Sequence, residues 1–558
     1  MRIKKNYKTQ GSEQSTSAET KKISMLSGKN ILIILFIIFA ANFILRLILI
    51  SDSNLWYDEV FSVYQSQKDI SLIKEISRSD IAPPFYYYIL HFWMQLFGIG
   101  ENSVRILSIL FMSIAAAFLF FMAYKYFGFD TAIFTSVLFF SSNQIFFYAQ
   151  EARTYSLLIL LAIVSSHLFF KLIDKPKIIY VLLLGVINWA AVYSHYFFIL
   201  LIAIQLGISI VSGKGKTVIY FILSIIITLI IFNTWLLRIK EVVIHGSTTS
   251  FDSTPTISDF LSILFELLNG KLVFIILIIP FVIGVYFFLK KISFRNDYSI
   301  IIKLTYLIAW GFLPLIFVFA TGSKGIMFIP RYFLFSIPGI LILFSFFILQ
   351  IHKKRIVIYS LIALIGLCSL FSIQYKISKG YDFRGTSSFI KSIKDENTLV
   401  ILEIAGTYPG FTYYFDRGIF KNYREMGINL LKNNILPKDD TTNLTNEMIT
   451  GYYKIILAQT FRDESSEVFA FFNKRYQSEN SFRQFPDILI TVFENPHKEL
   501  LSKDYFQTQD KKQIEIYRKK VYNSSSWLKQ IQTDALNQNI PFDTILNKNI
   551  VWVLNQNY

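Results

Sequence analysis

Residues 30–50 read NILIILFIIFAANFILRLILI, and this stretch decides the fold class. A helix of about 20 apolar residues crosses the hydrocarbon core of a bilayer, so the stretch is long enough to span a membrane. No small-residue cleavage site accompanies it, and we therefore predict an uncleaved first transmembrane helix instead of a signal peptide. The preceding residues 1–29 are polar and basic, which is typical of a cytoplasmic tail.

Apolar runs of similar length recur up to about residue 375. They predict about eleven transmembrane helices, at 30–50, 103–126, 130–148, 153–173, 178–193, 196–212, 217–237, 271–290, 300–320, 331–350 and 356–374. The chain is 53% hydrophobic, with a mean hydropathy of +0.46, whereas soluble proteins are about 45–50% apolar. Many of the Lys and Arg residues behind the net charge of +17 lie in links between the runs. This placement orients membrane helices, so we exclude a soluble enzyme and a nucleic-acid-binding protein.

The segment 83–97 is apolar but short, begins with two prolines and carries His91 and Gln95. We interpret it as a helix lying at the membrane interface. With the N-terminus in the cytoplasm, this choice places several basic clusters on the cytoplasmic side, at 171–177, 214–216, 290–295 and 353–355. Counting the segment as a span would move all of these clusters outside. The residues at 51–102 then form the first outer loop.

After about residue 375 the composition becomes ordinary. We predict a transmembrane domain at 30–375, followed at 376–558 by a soluble extracytoplasmic α/β domain with a polar, helical end from about residue 500. Short apolar runs at 399–402, 454–457 and 488–492 are typical of buried strands. The fold class is therefore an α-helical polytopic membrane protein with a C-terminal α/β domain.

Nearly all the unusual polar residues fall on the predicted outer side. Asp58 and Glu59 follow the first span, and Asp80 precedes Pro83-Pro84 and the aromatic residues Tyr86 and Tyr87. Carboxylates at the bilayer surface indicate function, although acidic residues also stabilise the first turn of a helix. Tyr86 and Tyr87 are equally suited to anchoring a helix at the headgroup level.

Further charged residues lie at three tight turns on the same side. Glu151 and Arg153, with Tyr155 after them, are held between two spans, so they either pair with each other or face a polar cavity. His195 lies at the turn of a predicted hairpin. Arg331 and Tyr332 begin a span, where an arginine either extends to the interface or grips a phosphate with its planar fork. Together these groups suit a substrate with a phosphate and a long apolar tail.

These residues form an ordered set of motifs: Tyr57-Asp58-Glu59, Asp80-x-x-Pro83-Pro84-x-Tyr86-Tyr87, Tyr148-Ala149-Gln150-Glu151-Ala152-Arg153-x-Tyr155-Ser156, His195-Tyr196-Phe197 and Arg331-Tyr332. The set resembles the GT-C glycosyltransferases, specifically the bacterial branch related to protein O-mannosyltransferases and lipid A aminoarabinose transferases. The resemblance covers roughly residues 30–375. Many relatives have a histidine before the two prolines, where this chain has Ala82, and this difference weakens the case for a metal ligand there.

The resemblance implies transfer of a sugar from a polyprenyl-phosphate carrier to an acceptor hydroxyl, at the outer face of a bacterial cytoplasmic membrane. The acceptor would be an envelope glycan, lipid or protein. Asp58 matches the catalytic acidic residue, and we expect it to act as a general base with inversion, Glu59 being the second catalytic candidate. Arg331, with Arg153, would stabilise the departing phosphate.

We expect the other motif residues to bind substrate: Asp80, Tyr86, Tyr87, Glu151, Tyr155, His195 and Tyr332. The scheme needs no cofactor. A divalent cation is compatible with it, and Asp80 and His195 are then the candidate ligands.

Two other functions are open on the sequence. One is a ligase that transfers a whole glycan from a polyprenyl diphosphate. The other is a transporter or flippase of lipid-linked sugars, a class that favours internal repeats and helices broken at mid-membrane. The sequence indicates neither feature.

Overall fold

The computed structural model describes residues 27–50, 53–79, 82–245, 255–293, 297–321, 328–351, 354–373, 380–403, 406–438, 452, 454–460, 466–475, 483–485 and 487–494. In chain order the first sixteen α-helices are α1 (Gly28–Ile48), α2 (Tyr57–Ser66), α3 (Ile70–Ser79), α4 (Phe85–Phe97), α5 (Glu101–Phe127), α6 (Phe129–Phe140), α7 (Asn143–Ala149), α8 (Tyr155–Asp174), α9 (Ile178–Val192), α10 (Phe198–Val211), α11 (Gly215–His245), α12 (Ile257–Leu267), α13 (Lys271–Lys291), α14 (Tyr298–Thr321), α15 (Ile337–Ile348) and α16 (Arg355–Phe371). A 3-10 helix, Pro330–Ser336, leads directly into α15.

The chain is a multi-pass membrane protein. Within the described residues, seven helical segments are long and apolar enough to cross a membrane: α1, α5, α8, the 215–232 part of α11, α13, α14 and Pro330–Ile348. The pair α6–α7 is apolar enough for an eighth span if the two bent helices are counted together, and α9, α10 and α16 are shorter apolar helices. These segments coincide with the eleven predicted spans. The predicted hairpin is confirmed too, because α9 ends before Ser194 and α10 begins after His195.

The prediction of one continuous span at 130–148 is wrong. The structure bends by 62° between α6 and α7. Ser142 caps α7, since its hydroxyl accepts a hydrogen bond from the Ile145 amide at 3.4 Å. The Asn269 side chain serves the backbone groups freed by the break, donating to the Ser141 carbonyl at 2.8 Å and accepting from the Asn143 amide at 2.7 Å. The break therefore leaves these two backbone groups with partners.

Two segments form the centre of the bundle. α8 and Pro330–Ile348 are mostly enclosed by other helices, whereas α1 and α13 expose most of their apolar surface, as expected of helices facing lipid. The turn that holds Arg153 lies just before α8, and Arg331 lies in the 3-10 helix before α15. The two most enclosed segments thus carry these two arginines at their N-terminal ends.

α4 confirms the helix predicted at 83–97. Tyr86 and Tyr87 face the protein, and the other side presents exposed Phe92, Leu96 and Phe97. An apolar face on a short helix suits the membrane interface, which stays our prediction for this element.

The C-terminal region contains the predicted α/β structure. Five more helices, α17 (Phe383–Ile393), α18 (Tyr408–Phe415), α19 (Arg417–Lys421), α20 (Met426–Lys432) and α21 (Glu467–Arg475), accompany strands β1 (Thr398–Glu403), β2 (Ile435–Pro437), β3 (Lys454–Thr460), β4 (Arg483–Phe485) and β5 (Ile488–Glu494). The sheet order is β2-β1-β3-β5-β4, with β1 parallel to β2 and β3 and with β5 antiparallel to β3 and β4. The three predicted strands are confirmed as β1, β3 and β5. The polar end predicted from about residue 500 lies outside the described residues.

Candidate active site

Asp58 lies in the first turn of α2, and two arginines from distant parts of the chain reach its carboxylate. Nη1 of Arg331 donates to Oδ2 of Asp58 at 3.0 Å, and Nη2 of Arg153 lies 3.5 Å from the same oxygen. The three side chains are 17–21% exposed. The cluster is thus shielded from bulk water but open enough to meet a ligand, and two cations share one carboxylate.

The turn between α7 and α8 places Arg153. This turn has only a few residues, so its backbone is held by both helices. Nη1 of Arg153 also donates to the Asp58 carbonyl and to the Ser62 hydroxyl, both at 3.4 Å. Arg153 therefore bridges the turn and the first two turns of α2. The structure gives Arg153 an ion pair with Asp58, and the alternatives of a pair with Glu151 or a role in substrate binding stay predictions.

Aromatic side chains surround Arg331. Its guanidinium lies 5.8 Å from the Trp56 ring and 5.6 Å from the Tyr332 ring, distances at which the ring faces attract a cation. Nε of Arg331 and Nε1 of Trp56 are buried, and neither has a hydrogen-bond partner within the described part of the chain. Buried donors without acceptors are rare, so these two N–H groups are candidates for contact with a ligand.

His195 lies behind the arginines, against the rings of Tyr155, Tyr332 and Phe197. Its Nδ1 accepts a hydrogen bond from the Phe197 amide at 3.3 Å. Burial, reinforced by the positive charges of Arg153 and Arg331, lowers the pKa of His195 to about 3. The imidazole is therefore neutral near pH 7, with its proton on Nε2.

Glu59, next to Asp58, has a different environment. Its carboxylate receives two hydrogen bonds from Arg105 of α5, at 2.9 and 2.8 Å, and both side chains are fully buried. The amides of Ala152 and Trp56 also donate to it, at 3.1 and 3.4 Å. The Glu59 carboxylate thus ties α2 to α5 and to the Arg153 turn, and its predicted catalytic role stays a prediction.

Arg105 is a residue of the site region that sequence reasoning missed. It also donates to the carbonyls of Ser53 and Asn54, at 2.8 and 3.1 Å, so it fixes the chain just before α2. An arginine within an apolar helix is itself a signal, because intramembrane charges are paired and functional. Its partner could not be chosen from the sequence, where several carboxylates were available.

The remaining predicted residues lie around this core. Glu151 is fully buried in the same turn as Arg153, and Tyr155 is buried at the start of α8. Tyr86 and Tyr87 are buried on α4, and the Phe85 amide at its start donates to the Tyr193 carbonyl at 3.0 Å. Asp80 lies outside the described residues. Within those residues no group of three or more His, Cys, Asp or Glu side chains is arranged to hold a metal ion.

The fold matches two solved structures of one protein, ArnT. ArnT from Cupriavidus metallidurans bound to undecaprenyl phosphate is 11% identical, and the match covers 84% of this chain and 98% of that chain with a TM-score of 0.55. The apo state of the same protein is 10% identical, with coverages of 83% and 97% and a TM-score of 0.54. At these identities the similarity is one of fold.

A sequence comparison gives a second, local result. Residues 82–237 match the family model of dolichyl-phosphate-mannose-protein mannosyltransferases. No curated protein matches the chain. The matched segment runs from α4 through α11 and includes the turns that hold Arg153 and His195. The local family match and the ArnT-like fold confirm the predicted resemblance to the GT-C glycosyltransferases.

Proposed function

We propose that this protein transfers a sugar from a polyprenyl-phosphate carrier to an acceptor hydroxyl at the outer face of the membrane. The observation that carries the proposal is the meeting of Asp58 with Arg153 and Arg331, at 3.5 and 3.0 Å, in a partly open cluster. The acceptor belongs to the cell envelope, as a glycan, a lipid or a protein.

The two arginines are suited to bind the carrier phosphate. Guanidinium groups form charge-assisted hydrogen bonds with phosphate oxygens, often two at a time. The unsatisfied donors Arg331 Nε and Trp56 Nε1 add capacity for an anion larger than one carboxylate. The similar ArnT structure was determined with undecaprenyl phosphate, and the matching family is named for a dolichyl-phosphate donor. These names support a lipid-phosphate donor in this chain.

In this scheme the donor phosphate takes the arginines from Asp58, and the freed carboxylate becomes the base. It accepts the proton of the acceptor hydroxyl while the acceptor oxygen bonds to the anomeric carbon. The bond between that carbon and the phosphate oxygen breaks, and its electron pair leaves with the lipid phosphate. A single displacement inverts the anomeric centre. The arginines stabilise the charge that develops on the leaving phosphate, so no general acid is needed.

The basic links between spans support the proposed placement of the site. They favour a cytoplasmic N-terminus and a site on the outer side of what we propose is a bacterial cytoplasmic membrane. The donor's lipid tail would stay in the bilayer while its phosphate reaches the cluster. No cofactor is required by this chemistry, although a divalent cation next to the phosphate would be compatible with it.

The test is sugar transfer by purified protein in lipid, with a panel of radiolabelled polyprenyl-phosphate monosaccharides and envelope extract as acceptor. Wild type is compared with Asp58→Asn. Asp69→Asn is the matched control, because Asp69 lies on the same outer loop in an exposed ion pair with Arg424. Removal of a general base lowers the rate by about 10²- to 10⁴-fold, so we expect transfer to collapse in Asp58→Asn and to persist in the control.

Transfer that survives in Asp58→Asn would retain the enzyme and reject Asp58 as its base. If no monosaccharide carrier supports transfer by the wild type, the proposed donor class is rejected. A polyprenyl-diphosphate glycan would be the next donor, and transport of lipid-linked sugars the next function.

A further inference from the structure

Two adjacent tyrosines of the C-terminal region hold both ends of the first outer loop. The Leu55 amide donates to the hydroxyl of Tyr414 at 2.6 Å, and the hydroxyl of Tyr413 donates to the Ile99 carbonyl at 2.7 Å. Leu55 lies just before α2, and Ile99 lies just before α5. One dipeptide on α18 therefore bonds to the loop where it leaves the first span and where it enters the next.

Other contacts join the C-terminal region to the first outer loop at the same place, which we call the junction. The Asn54 side chain donates to the Tyr381 carbonyl at 2.6 Å, and Arg384 forms an ion pair with Glu101 at the start of α5. The rings of Tyr57 and Tyr381 meet edge to face, with 6.5 Å between their centres. The junction thus involves Asn54, Leu55 and Tyr57, and Tyr57 directly precedes Asp58.

The junction is built like a protein interior. Leu55 and Tyr413 are fully buried. Burial raises the pKa of both tyrosines above the ordinary value, so their hydroxyls stay protonated at any working pH. A buried amide that loses its acceptor is strongly disfavoured, so the bond from Leu55 to Tyr414 restricts where α2 can begin.

Only Trp56 and Tyr57 separate Leu55, which bonds to Tyr414, from Asp58. Leu55 precedes Trp56, the N-cap of α2, and Asp58 lies in the first turn that follows. Arg105 and Glu59 hold this turn from the side of the membrane bundle, and Tyr414 holds it from the side of the C-terminal region. The position of the Asp58 carboxylate relative to the arginines therefore depends on both parts of the chain.

We propose that Tyr414 is a positioning residue for Asp58 and that Tyr413 fixes the other end of the same loop, and we call the two residues together the tyrosine staple. The C-terminal region is then a part of the catalytic assembly, beyond any role in the choice of acceptor. The role assigned to Asp58 rests on the proposed function, but the staple itself is a structural statement with its own readout.

The test uses the full-length protein in lipid, as wild type, Tyr414→Phe and Tyr452→Phe. Tyr452→Phe is the matched control, because Tyr452 also makes a hydroxyl hydrogen bond in the C-terminal region, to Asn434 at 3.1 Å, away from the outer loop. Two quantities are measured: deuterium uptake in peptides covering residues 53–66, and kcat and KM for the lipid-linked donor.

We expect Tyr414→Phe to raise deuterium uptake at 53–66 and to lower kcat by about 10- to 100-fold, because small displacements of a catalytic group have effects of this size. The KM for the donor should change by less than about twofold, since the two arginines are untouched. Tyr452→Phe should change neither quantity. Tyr413→Phe should raise uptake next to Ile99.

Unchanged uptake and unchanged kcat in Tyr414→Phe would overturn the staple, as would equal effects in Tyr452→Phe. A rise in uptake with unchanged kcat would overturn the positioning role. The exchange experiment does not need a donor. An inactive wild type with the expected exchange difference would therefore reject the proposed donor class while supporting the staple.

Discussion

Two ion-pair regions lie one residue apart on α2 and differ in almost every physical respect. Glu59 has one arginine, two short bonds and two backbone donors, and it is fully buried. Asp58 has two arginines at longer range and is partly open. Beside the Asp58 cluster, Nε of Arg331 and Nε1 of Trp56 have no hydrogen-bond partner among the residues that the structure describes.

The difference separates a structural pair from a binding cluster. A buried ion pair is tolerated when every lone pair and proton has a partner, and the Glu59 pair approaches that state. At Asp58 the cations outnumber the anion. The three side chains are 17–21% exposed, and we propose that this cluster accepts a further anion, the phosphate of the lipid carrier.

The largest effect should come from breaking the Glu59 pair. Arg105→Met leaves the Glu59 carboxylate buried without its cation, and removal of one partner of a buried pair destabilises a fold by about 3–5 kcal/mol. We expect a large fall in the midpoint of thermal unfolding, measured in detergent or lipid. Asp69→Asn, which removes the exposed pair with Arg424, should leave the midpoint nearly unchanged, since exposed pairs contribute about 0–1 kcal/mol. Equal midpoints for Arg105→Met and wild type would refute the distinction between the two regions.

A smaller effect, on rate instead of stability, is expected at Arg331. Arg331→Lys keeps the charge but removes the planar fork, so we expect kcat to fall by about 10- to 100-fold with little change in thermal stability. The control is Arg424→Lys, because Arg424 also stacks on a tyrosine, Tyr423, and pairs with an aspartate. Full activity in Arg331→Lys would show that only charge, and no bidentate contact, is needed at this position.

The smallest effect concerns His195 and the pH. In the folded protein the pKa of His195 is lowered to about 3, whereas a histidine in an unfolded chain has a pKa of about 6.5. Below about pH 6.5 the unfolded chain binds a proton at His195 that the folded protein does not bind, so the free energy of unfolding decreases as the pH falls. Above about pH 6.5 His195 makes no pH-dependent contribution to stability. Between pH 7 and pH 5 the loss amounts to about 2 kcal/mol.

His195→Gln should therefore show a smaller drop in thermal midpoint between pH 7 and pH 5 than wild type. An identical drop in both proteins would mean that His195 is not kept neutral by burial and the neighbouring arginines. It would also weaken the claim that positive charge is in excess around Asp58.

Much of the architecture could be predicted, because long apolar runs in the sequence indicate membrane helices and short apolar runs indicate buried strands. The break between α6 and α7 was missed although Ser141, Ser142 and Asn143 are good helix-capping residues. The run of apolar residues on both sides concealed it, and the Asn269 side chain that serves the break lies far away in sequence.

The site was predictable as a set of residues but not as a set of pairs. Asp58, Arg153 and Arg331 were expected on one face from the order of spans. The pairing of carboxylates with arginines depends on how each helix is rotated about its axis and how deep it lies in the membrane. No local sequence pattern determines either quantity. The pairing of Glu59 with Arg105 and the contact of Tyr414 with the outer loop are both of this kind.

One measurement tests the central claim most directly: the affinity of purified wild type and Asp58→Asn for undecaprenyl phosphate in detergent, with Arg331→Gln as the comparison. If the Asp58 carboxylate occupies the place of a phosphate, its neutralisation should leave binding as tight as in wild type or tighter, while Arg331→Gln binds more weakly. If Asp58→Asn loses affinity together with Arg331→Gln, the carboxylate is part of the phosphate site itself, and the division between a binding cluster and a base is wrong.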